Sequence, residues 1–154
     1  MKGKAIVLGS GTSQGVPLIA CHCKVCTSED LKDKRLRSSL LFQVADKNYV
    51  IDAGPDFRQQ MLRANVEELE AIIFTHEHKD HIAGLDDVRA YNYRSNSPMD
   101  VYCTSAVENA LKKEFHYIFN GDSYPGIPKI NIRNISTAPF NLSEACTITP
   151  IQVY

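Results

Sequence analysis

The sequence predicts an α/β domain, and three features lead to that prediction. First, short apolar segments rich in β-branched and aromatic residues alternate with segments of helical periodicity. Second, one apolar segment, residues 71–75, stops at a polar hexapeptide, residues 76–81, as a buried strand does where it opens into a loop. Third, 154 residues of which 44% are hydrophobic are enough for one domain with a core, and nothing indicates a second domain.

The individual elements follow from local patterns of apolar residues, turn residues and caps. Asp56 and Ser105 are predicted to cap helices, since each directly precedes a helical pattern. Strands are predicted at residues 5–8, 39–44, 48–51, 71–75, 99–103, 130–135 and 147–154. Helices are predicted at residues 57–64, 82–89 and 105–121, with a hairpin turn at 46–48 and a loop at 122–128.

The overall charge excludes some classes of partner. With 17 basic and 18 acidic residues, the chain has no broad positive surface for nucleic acid. The apolar stretch near the amino terminus is too short for a signal peptide or a membrane span. We therefore expect a cytoplasmic protein that binds neither nucleic acid nor membrane.

The histidine loop, residues 76–81, carries the strongest chemical signal. His76, His78, Asp80 and His81 offer the imidazole and carboxylate ligands that zinc, manganese and iron accept. Alternate residues of an extended segment point the same way, so His76 and His78 can converge on one ion while Asp80 and His81 face a second. The other interpretation, four ordinary polar loop residues, leaves their mutual repulsion unexplained. The zincin helix motif is excluded, because it needs a histidine where Asp80 stands.

A second cluster consists of Cys21, Cys23 and Cys26, called here the cysteine cluster. In a chain without an export signal, this spacing favours a structural zinc over disulfides. The other interpretation, three packed small apolar side chains, fits a polar loop poorly. Three thiolates leave one tetrahedral position to be filled, and His22 is too close in sequence to fill it. Candidates for the fourth ligand are Cys103, His116 and Cys146.

Two further segments have ordinary structural interpretations. The glycine-rich residues 9–15 lack the third glycine of a dinucleotide fingerprint, because Gln14 occupies that position, and they also lack the P-loop lysine. A tight turn is the simpler interpretation, with an anion-binding rim as the alternative. The basic residues 27–37 are typical of a solvated face, although an arginine there that contacts a phosphate is the alternative.

The H-x-H-x-D-H spacing resembles the metallo-β-lactamase superfamily. The resemblance implies that His76 and His78 bind one metal and that Asp80 and His81 bind a second, with Asp80 also steering the attacking water. It further implies that Asp52, at the end of a predicted strand, orients the ligands without touching metal. Residues 11–17, the cysteine cluster and residues 51–58 together resemble the phosphoribosyl 1,2-cyclic phosphate phosphodiesterase branch, and the pyrroloquinoline-quinone biosynthesis B proteins are similar.

The resemblance implies a four-layer αββα sandwich, of which residues 1–154 make the first half and the start of the second. The implied activity is hydrolysis of a small, cyclic phosphodiester by a hydroxide that bridges two zinc or manganese ions. No histidine occurs after His116, whereas the family pattern needs further histidine ligands, so we expect a truncated domain, inactive alone and able to self-associate. The alternatives are a non-catalytic metal-binding fragment or another branch, such as a nuclease or a thioester or lactone hydrolase.

Overall fold

The main feature of the computed structural model, which describes residues 3–121 and 124–153, is a mixed six-stranded sheet. Its strands follow the order β1-β2-β3-β4-β5-β6. β1, β2 and β3 are antiparallel neighbours, whereas β3 to β6 are parallel. The bounds are β1 (Lys4–Gly9), β2 (Ser39–Val44), β3 (Lys47–Ile51), β4 (Ala71–Ile73), β5 (Met99–Cys103) and β6 (Ile130–Asn134). The prediction of an α/β fold is confirmed.

Helices connect the parallel strands and pack against the sheet. They are α1 (Phe57–Ala64), α2 (Lys79–Ile82), α3 (Arg89–Ser95), α4 (Ser105–Glu114) and α5 (His116–Phe119), with short 3₁₀ helices at Leu31–Asp33 and Leu85–Val88. Within the described part of the chain, no helix has both the length and the apolar character needed to cross a lipid bilayer. The cytoplasmic location stays a prediction.

A row of apolar side chains crosses the sheet beneath the helices. Leu41, Val50, Ile72 and Val101 lie in register on β2 to β5, and each is at most 1% exposed. They pack in one cluster with helical side chains such as Phe57. Burying each such side chain contributes roughly 1.5–3 kcal/mol to folding. This core holds the carboxyl ends of β3, β4 and β5 together at one edge of the sheet.

The opposite face of the sheet carries a second, smaller layer. The hairpin of β7 (Phe140–Ser143) and β8 (Cys146–Ile148) packs there, with the ring of Phe140 stacked on Tyr102 at a centroid distance of 5.1 Å. Elsewhere on this face Val7 is 63% exposed. The predicted self-association through this apolar surface stays a prediction.

The chain after the histidine loop differs from the single helix predicted at 82–89. α2 begins within the loop, Leu85–Val88 form a 3₁₀ helix, and α3 continues to Ser95. The interruption falls at Gly84, where a Cβ atom would lie 2.1 Å from the carbonyl oxygen of Gly54. The helix is therefore interrupted at Gly84, where the two backbones approach each other closely.

The first predicted helix, 57–64, is confirmed as α1, and Asp56 occupies its N-cap position, but the expected side-chain capping bond is absent. Asp56 makes no side-chain capping bond to α1. Its carboxylate instead accepts from the amide (2.8 Å) and guanidinium (3.0 Å) of Arg37. A charged partner from a distant part of the chain has displaced the local cap.

The capping box predicted at Ser105 is also wrong by one residue. Thr104 is the N-cap of α4, and its hydroxyl accepts from the amide of Val107 at 3.5 Å. The helix does not run unbroken toward Gly121, because Phe115 leaves the helical region (φ −112°, ψ 44°) before α5 begins.

Several strand bounds also differ from the predicted ones. The β2–β3 turn consists of Ala45 and Asp46, both at positive φ, rather than residues 46–48. The strand predicted at 147–154 is confirmed only at its start: β8 ends at Ile148, residues 149–153 are not strand, and Tyr154 lies outside the described residues. Part of the loop predicted at 122–128, residues 122 and 123, also lies outside them.

Candidate metal centre

The histidine loop lies at the carboxyl end of β4, in the middle of the sheet. β4 ends at Ile73, two residues before the predicted end, although the amide of Phe74 still donates to the carbonyl of Tyr102 at 2.9 Å. His78 is extended (φ −65°, ψ 148°), and α2 starts at the next residue. The parallel neighbours of β4 end at the same edge, so side chains from the turn after β3 can reach the loop.

Asp52 is the buried anchor of this site. It follows β3, is 5% exposed and has a left-handed backbone (φ 63°). Oδ1 accepts from the amide of Thr75 at 2.8 Å, and Oδ2 accepts from the Thr75 hydroxyl at 2.7 Å. Oδ2 also lies 2.7 Å from Nδ1 of His81. The structure thus places Asp52 behind the predicted ligands, where it fixes the orientation of His81.

The four predicted ligand residues lie near one another in pairs, although no three of their donor atoms lie within 4.8 Å of one another. The imidazole centroid of His76 lies 4.7 Å from that of His78 and 4.0 Å from that of His81. Nε2 of His81 lies 3.1 Å from Oδ2 of Asp80. Imidazole nitrogen and carboxylate oxygen so close together match the donor set that divalent cations accept. The residue types present therefore fit divalent metals, and which of them share an ion stays a prediction.

The protonation of His76 favours metal binding. Burial lowers the pKa of His76, and the positive charge that His81 can carry lowers it further. A lowered pKa keeps this imidazole neutral to a lower pH. A neutral imidazole retains the lone pair that a metal ligand needs.

The cysteine cluster is brought together in the loop between β1 and β2. Among the described residues, the sulfur atoms of Cys21, Cys23 and Cys26 form the only group of at least three His, Cys, Asp or Glu donors that all lie within 4.8 Å of one another. Hydrogen bonds from the Cys26 amide and the Cys21 thiol lower the pKa of Cys23 to about 7. A thiolate available near neutral pH suits zinc.

No fourth zinc ligand joins the cysteine cluster in the described part of the chain. Of the three candidates, Cys103 is buried at the end of β5, Cys146 is buried in β8, and His116 begins α5. Burial raises the pKa of Cys103 to about 11, which opposes formation of its thiolate. The predicted fourth ligand is thus not found among them.

Two contacts around the site were not predicted from the sequence. Thr75 joins Asp52 to the loop, and its only sequence signal is its position directly before His76. Asp86, just beyond α2, accepts from the hydroxyl of Tyr117 on α5 and pairs with Arg89 at 3.1 Å. These contacts tie the segment that follows the loop to the next helical layer.

Comparison with known proteins identifies relatives of the chain. A family model described as the beta-lactamase superfamily domain matches residues 47–154. An octanoyltransferase of Porphyromonas gingivalis is 42% identical over 152 residues, covering 97% of this chain and 30% of that protein. A coenzyme PQQ synthesis protein B of Xanthomonas oryzae pv. oryzae is 26% identical over 164 residues, covering 97% of this chain and 50% of that protein.

Solved structures show the same fold. A structure described as a new diphosphatase from the PhnP family is 39% identical with a TM-score of 0.82, covering 92% of this chain and 53% of that one. Zn(2+)-bound PqqB from Methylobacterium extorquens has a TM-score of 0.72 at 21% identity, covering 96% and 51%. The second likeness concerns the fold alone. This chain thus spans about half the length of these structures, and 30% and 50% of the two curated relatives.

Proposed function

This chain belongs to the beta-lactamase superfamily, and on that basis we propose that it carries the metal site of a hydrolase that cleaves a small, cyclic phosphodiester. The observation that carries the proposal is the proximity of His76 to His78 and His81, and of His81 to Asp80, at the carboxyl end of β4, with Asp52 in contact with His81. Such a site at the edge of a parallel sheet is open to a substrate.

Each side chain has a distinct task in this proposal. His76 and His78 hold one cation, and Asp80 and His81 hold the other, with zinc or manganese as the metals. Divalent metals bound there would supply a nucleophile at neutral pH by lowering the pKa of water, and would offset negative charge that develops at phosphorus. Asp80 also orients the attacking water through a carboxylate oxygen, whereas Asp52 holds His81 and touches no substrate.

The comparisons support phosphorus as the atom attacked. The structure described as a diphosphatase is 39% identical to this chain and matches its fold closely. The nearly balanced charge of the chain, 17 basic against 18 acidic residues, favours a small substrate over a nucleic acid.

We further propose that the 154 residues by themselves bind metal without catalysing turnover. Four side chains shared between two cations leave two protein ligands for each, whereas a catalytic zinc has three. Ions held by two ligands have low affinity, and the water they carry is poorly fixed. The cysteine cluster adds a separate structural zinc, bound through three thiolates.

The test compares this chain with the full-length gene product that contains it. Both are saturated with zinc or manganese and assayed on a cyclic ribose phosphate and on bis(p-nitrophenyl) phosphate. We expect turnover by the full-length protein only, and a loss of at least about 100-fold on Asp80→Asn. His116→Ala, a histidine outside the site, is the matched control and retains activity. A full-length protein that is loaded with metal yet cleaves no phosphodiester contradicts the proposal.

A second candidate function is hydrolysis of an acyl thioester. The observation that favours it is the 42% identity to a protein named octanoyltransferase, although most of that protein lies outside the match. The same metal site would then act at a carbonyl carbon instead of phosphorus. An octanoyl thioester included in the assay separates the two: cleavage of it without cleavage of any phosphodiester selects this candidate.

A further inference from the structure

Thr75 contacts two residues of the proposed metal site, Asp52 and His76. Its amide donates to Oδ1 of Asp52 at 2.8 Å. Its hydroxyl oxygen lies 2.7 Å from Oδ2 of Asp52 and 3.0 Å from Nδ1 of His76. One hydroxyl proton therefore has two neighbouring acceptor positions, and only one assignment satisfies both contacts.

The chemistry of the carboxylate decides that assignment. An ionised carboxylate accepts hydrogen bonds and cannot donate them, so the Thr75 hydroxyl proton points to Asp52. The Thr75 oxygen is then an acceptor toward His76, and Nδ1 of His76 must carry a proton. In a neutral imidazole only one nitrogen is protonated, so Nε2 of His76 is left with its lone pair.

Asp52 also contacts His81, which is proposed to bind the second cation. Its Oδ2 lies 2.7 Å from Nδ1 of His81, which donates to the carboxylate by the same reasoning. Nε2 of His81 faces Asp80 at 3.1 Å. One buried carboxylate thus orients His81 directly, and it orients His76 through the hydroxyl of Thr75.

We propose that Thr75 is a positioning residue that holds His76 in the Nδ1–H tautomer and links the two metal positions through Asp52. The inference rests on the proposed metal site, since it assigns His76 and His81 to different cations. Loss of an outer hydrogen-bond partner of a metal-bound histidine typically lowers metal affinity about 10–100-fold. We expect removal of the Thr75 hydroxyl to lower the affinity of the cation site that contains His76 by a factor of that size.

The test uses two substitutions. Thr75→Val keeps the shape of the side chain but removes its hydroxyl, whereas Thr75→Ser keeps the hydroxyl and removes only the methyl group. Thr75 is exposed, so neither change disturbs the core. Thr147→Val is the matched control, because the Thr147 hydroxyl donates to Asn141 (2.8 Å) in the exposed β7–β8 hairpin. All variants are made in the chain as it stands.

The first measurement is the tautomer of His76, from long-range ¹H–¹⁵N spectra of the metal-free protein at about pH 8.5, two units above the ordinary imidazole pKa. We expect the Nδ1–H form in the wild type, Thr75→Ser and Thr147→Val, and a mixture of both tautomers in Thr75→Val. A wild-type His76 protonated at Nε2, or a Thr75→Val spectrum identical to wild type, overturns the proposal.

The second measurement is zinc affinity by competition with a chelator, after the cysteine cluster has been saturated. We expect Thr75→Val to bind about 10–100-fold more weakly than wild type, with Thr75→Ser and Thr147→Val close to wild type. Equal affinity of Thr75→Val and wild type counts against the role of Thr75. A wild-type chain that binds zinc only at the cysteine cluster overturns the proposed function, while the tautomer of His76 still decides the role of Thr75.

Discussion

The backbone of Gly54 lies directly against the carbonyl oxygen of Asp80, so closely that a Cβ atom on residue 54 would stand 1.9 Å from it. Gly54 belongs to the turn after β3, which also carries Asp52, and Asp80 belongs to α2. The two segments that supply the proposed metal site thus touch through their backbones. The same two segments bring the Asp52 carboxylate to 2.7 Å from Nδ1 of His81.

The first prediction concerns Gly54→Ala. The added methyl group overlaps a backbone oxygen, which cannot move aside as a flexible side chain can, so the turn and α2 must separate. We expect a loss of about 1–3 kcal/mol in the free energy of unfolding and weaker zinc binding at the histidine loop. Urea unfolding and zinc competition measure the two effects.

Gly3→Ala is the control for this substitution, because a Cβ atom there would lie 3.5 Å from the Gln43 carbonyl oxygen, an ordinary contact. Its stability and zinc affinity are expected to match wild type. If Gly54→Ala behaves like Gly3→Ala, the backbone contact does not determine the geometry of the site.

The second prediction concerns the reactivity of the cysteine cluster. The lowered pKa of Cys23, about 7, places its thiolate in the physiological range, and the thiolate is the nucleophile toward iodoacetamide. In the zinc-free chain we expect the alkylation rate at Cys23 to rise as the pH passes through about 7. Cys103, whose pKa burial raises to about 11, is the internal control and stays unmodified at neutral pH.

Peptide mapping by mass spectrometry measures the order of alkylation, with and without zinc. Zinc is expected to protect Cys21, Cys23 and Cys26 together, because all three sulfur atoms converge within 4.8 Å. Alkylation of Cys23 at the same rate in the presence of excess zinc contradicts a zinc site at this cluster.

The sequence predicted best the elements that local patterns specify. α1 (57–64) and β5 (99–103) have the predicted bounds, since an apolar stripe or an alternating run defines each of them and an αL residue, Asn65, ends α1. Local rules failed where a distant group competes. Asp56 reads as a cap, but Arg37, which is 19 residues away in sequence, takes its carboxylate.

In the candidate site, too, some residues could be predicted from local sequence and others could not. The residue types and spacing of the histidine loop predicted four donor side chains, and their role as metal ligands stays a prediction. Thr75 could not be selected, because its importance comes from Asp52, which is 23 residues away in sequence and reaches it only when β3 and β4 pair. A hydrogen bond between residues that follow two neighbouring parallel strands leaves no pattern in the local sequence around either residue.

The third prediction tests the observed role of Asp56. If Asp56 capped α1, Ser would replace it well, because Ser is an equally good N-cap. The structure instead shows an ion pair with Arg37 at 3.0 Å, in which both side chains are partly buried. We therefore expect Asp56→Ser and Asp56→Ala to lose the same amount of stability, about 1–3 kcal/mol in urea unfolding.

A double-mutant cycle of Asp56→Ala with Arg37→Met isolates the pair. A coupling free energy of about 1 kcal/mol is expected for a partly exposed ion pair, and the hydrogen bond from the amide of residue 37 does not enter it, because Arg37→Met keeps that amide. Full recovery of stability by Asp56→Ser would instead show that the side chain acts as a helix cap.

The fourth prediction concerns Tyr117, whose hydroxyl donates to Asp86 at 2.5 Å. Burial raises its pKa to about 12, and the bond to Asp86 adds to this shift. Free tyrosine ionises near pH 10, so the fold favours the neutral phenol. The resulting stability is fully present below about pH 10 and is lost as the pH rises toward about 12.

Tyr117→Phe removes both the hydrogen bond and the ionisation. At pH 8 we expect the variant to be less stable than wild type by about 1 kcal/mol, since the contact is only partly buried. Between about pH 10 and 12 the difference in unfolding free energy should shrink to zero, because wild type loses the contribution that the variant never had. Asp86→Asn should make this pH dependence shallower, since it removes the negative charge that opposes ionisation. A wild-type-to-variant difference that stays constant from pH 8 to 12 would mean that the bond between Tyr117 and Asp86 does not stabilise the segment after the histidine loop.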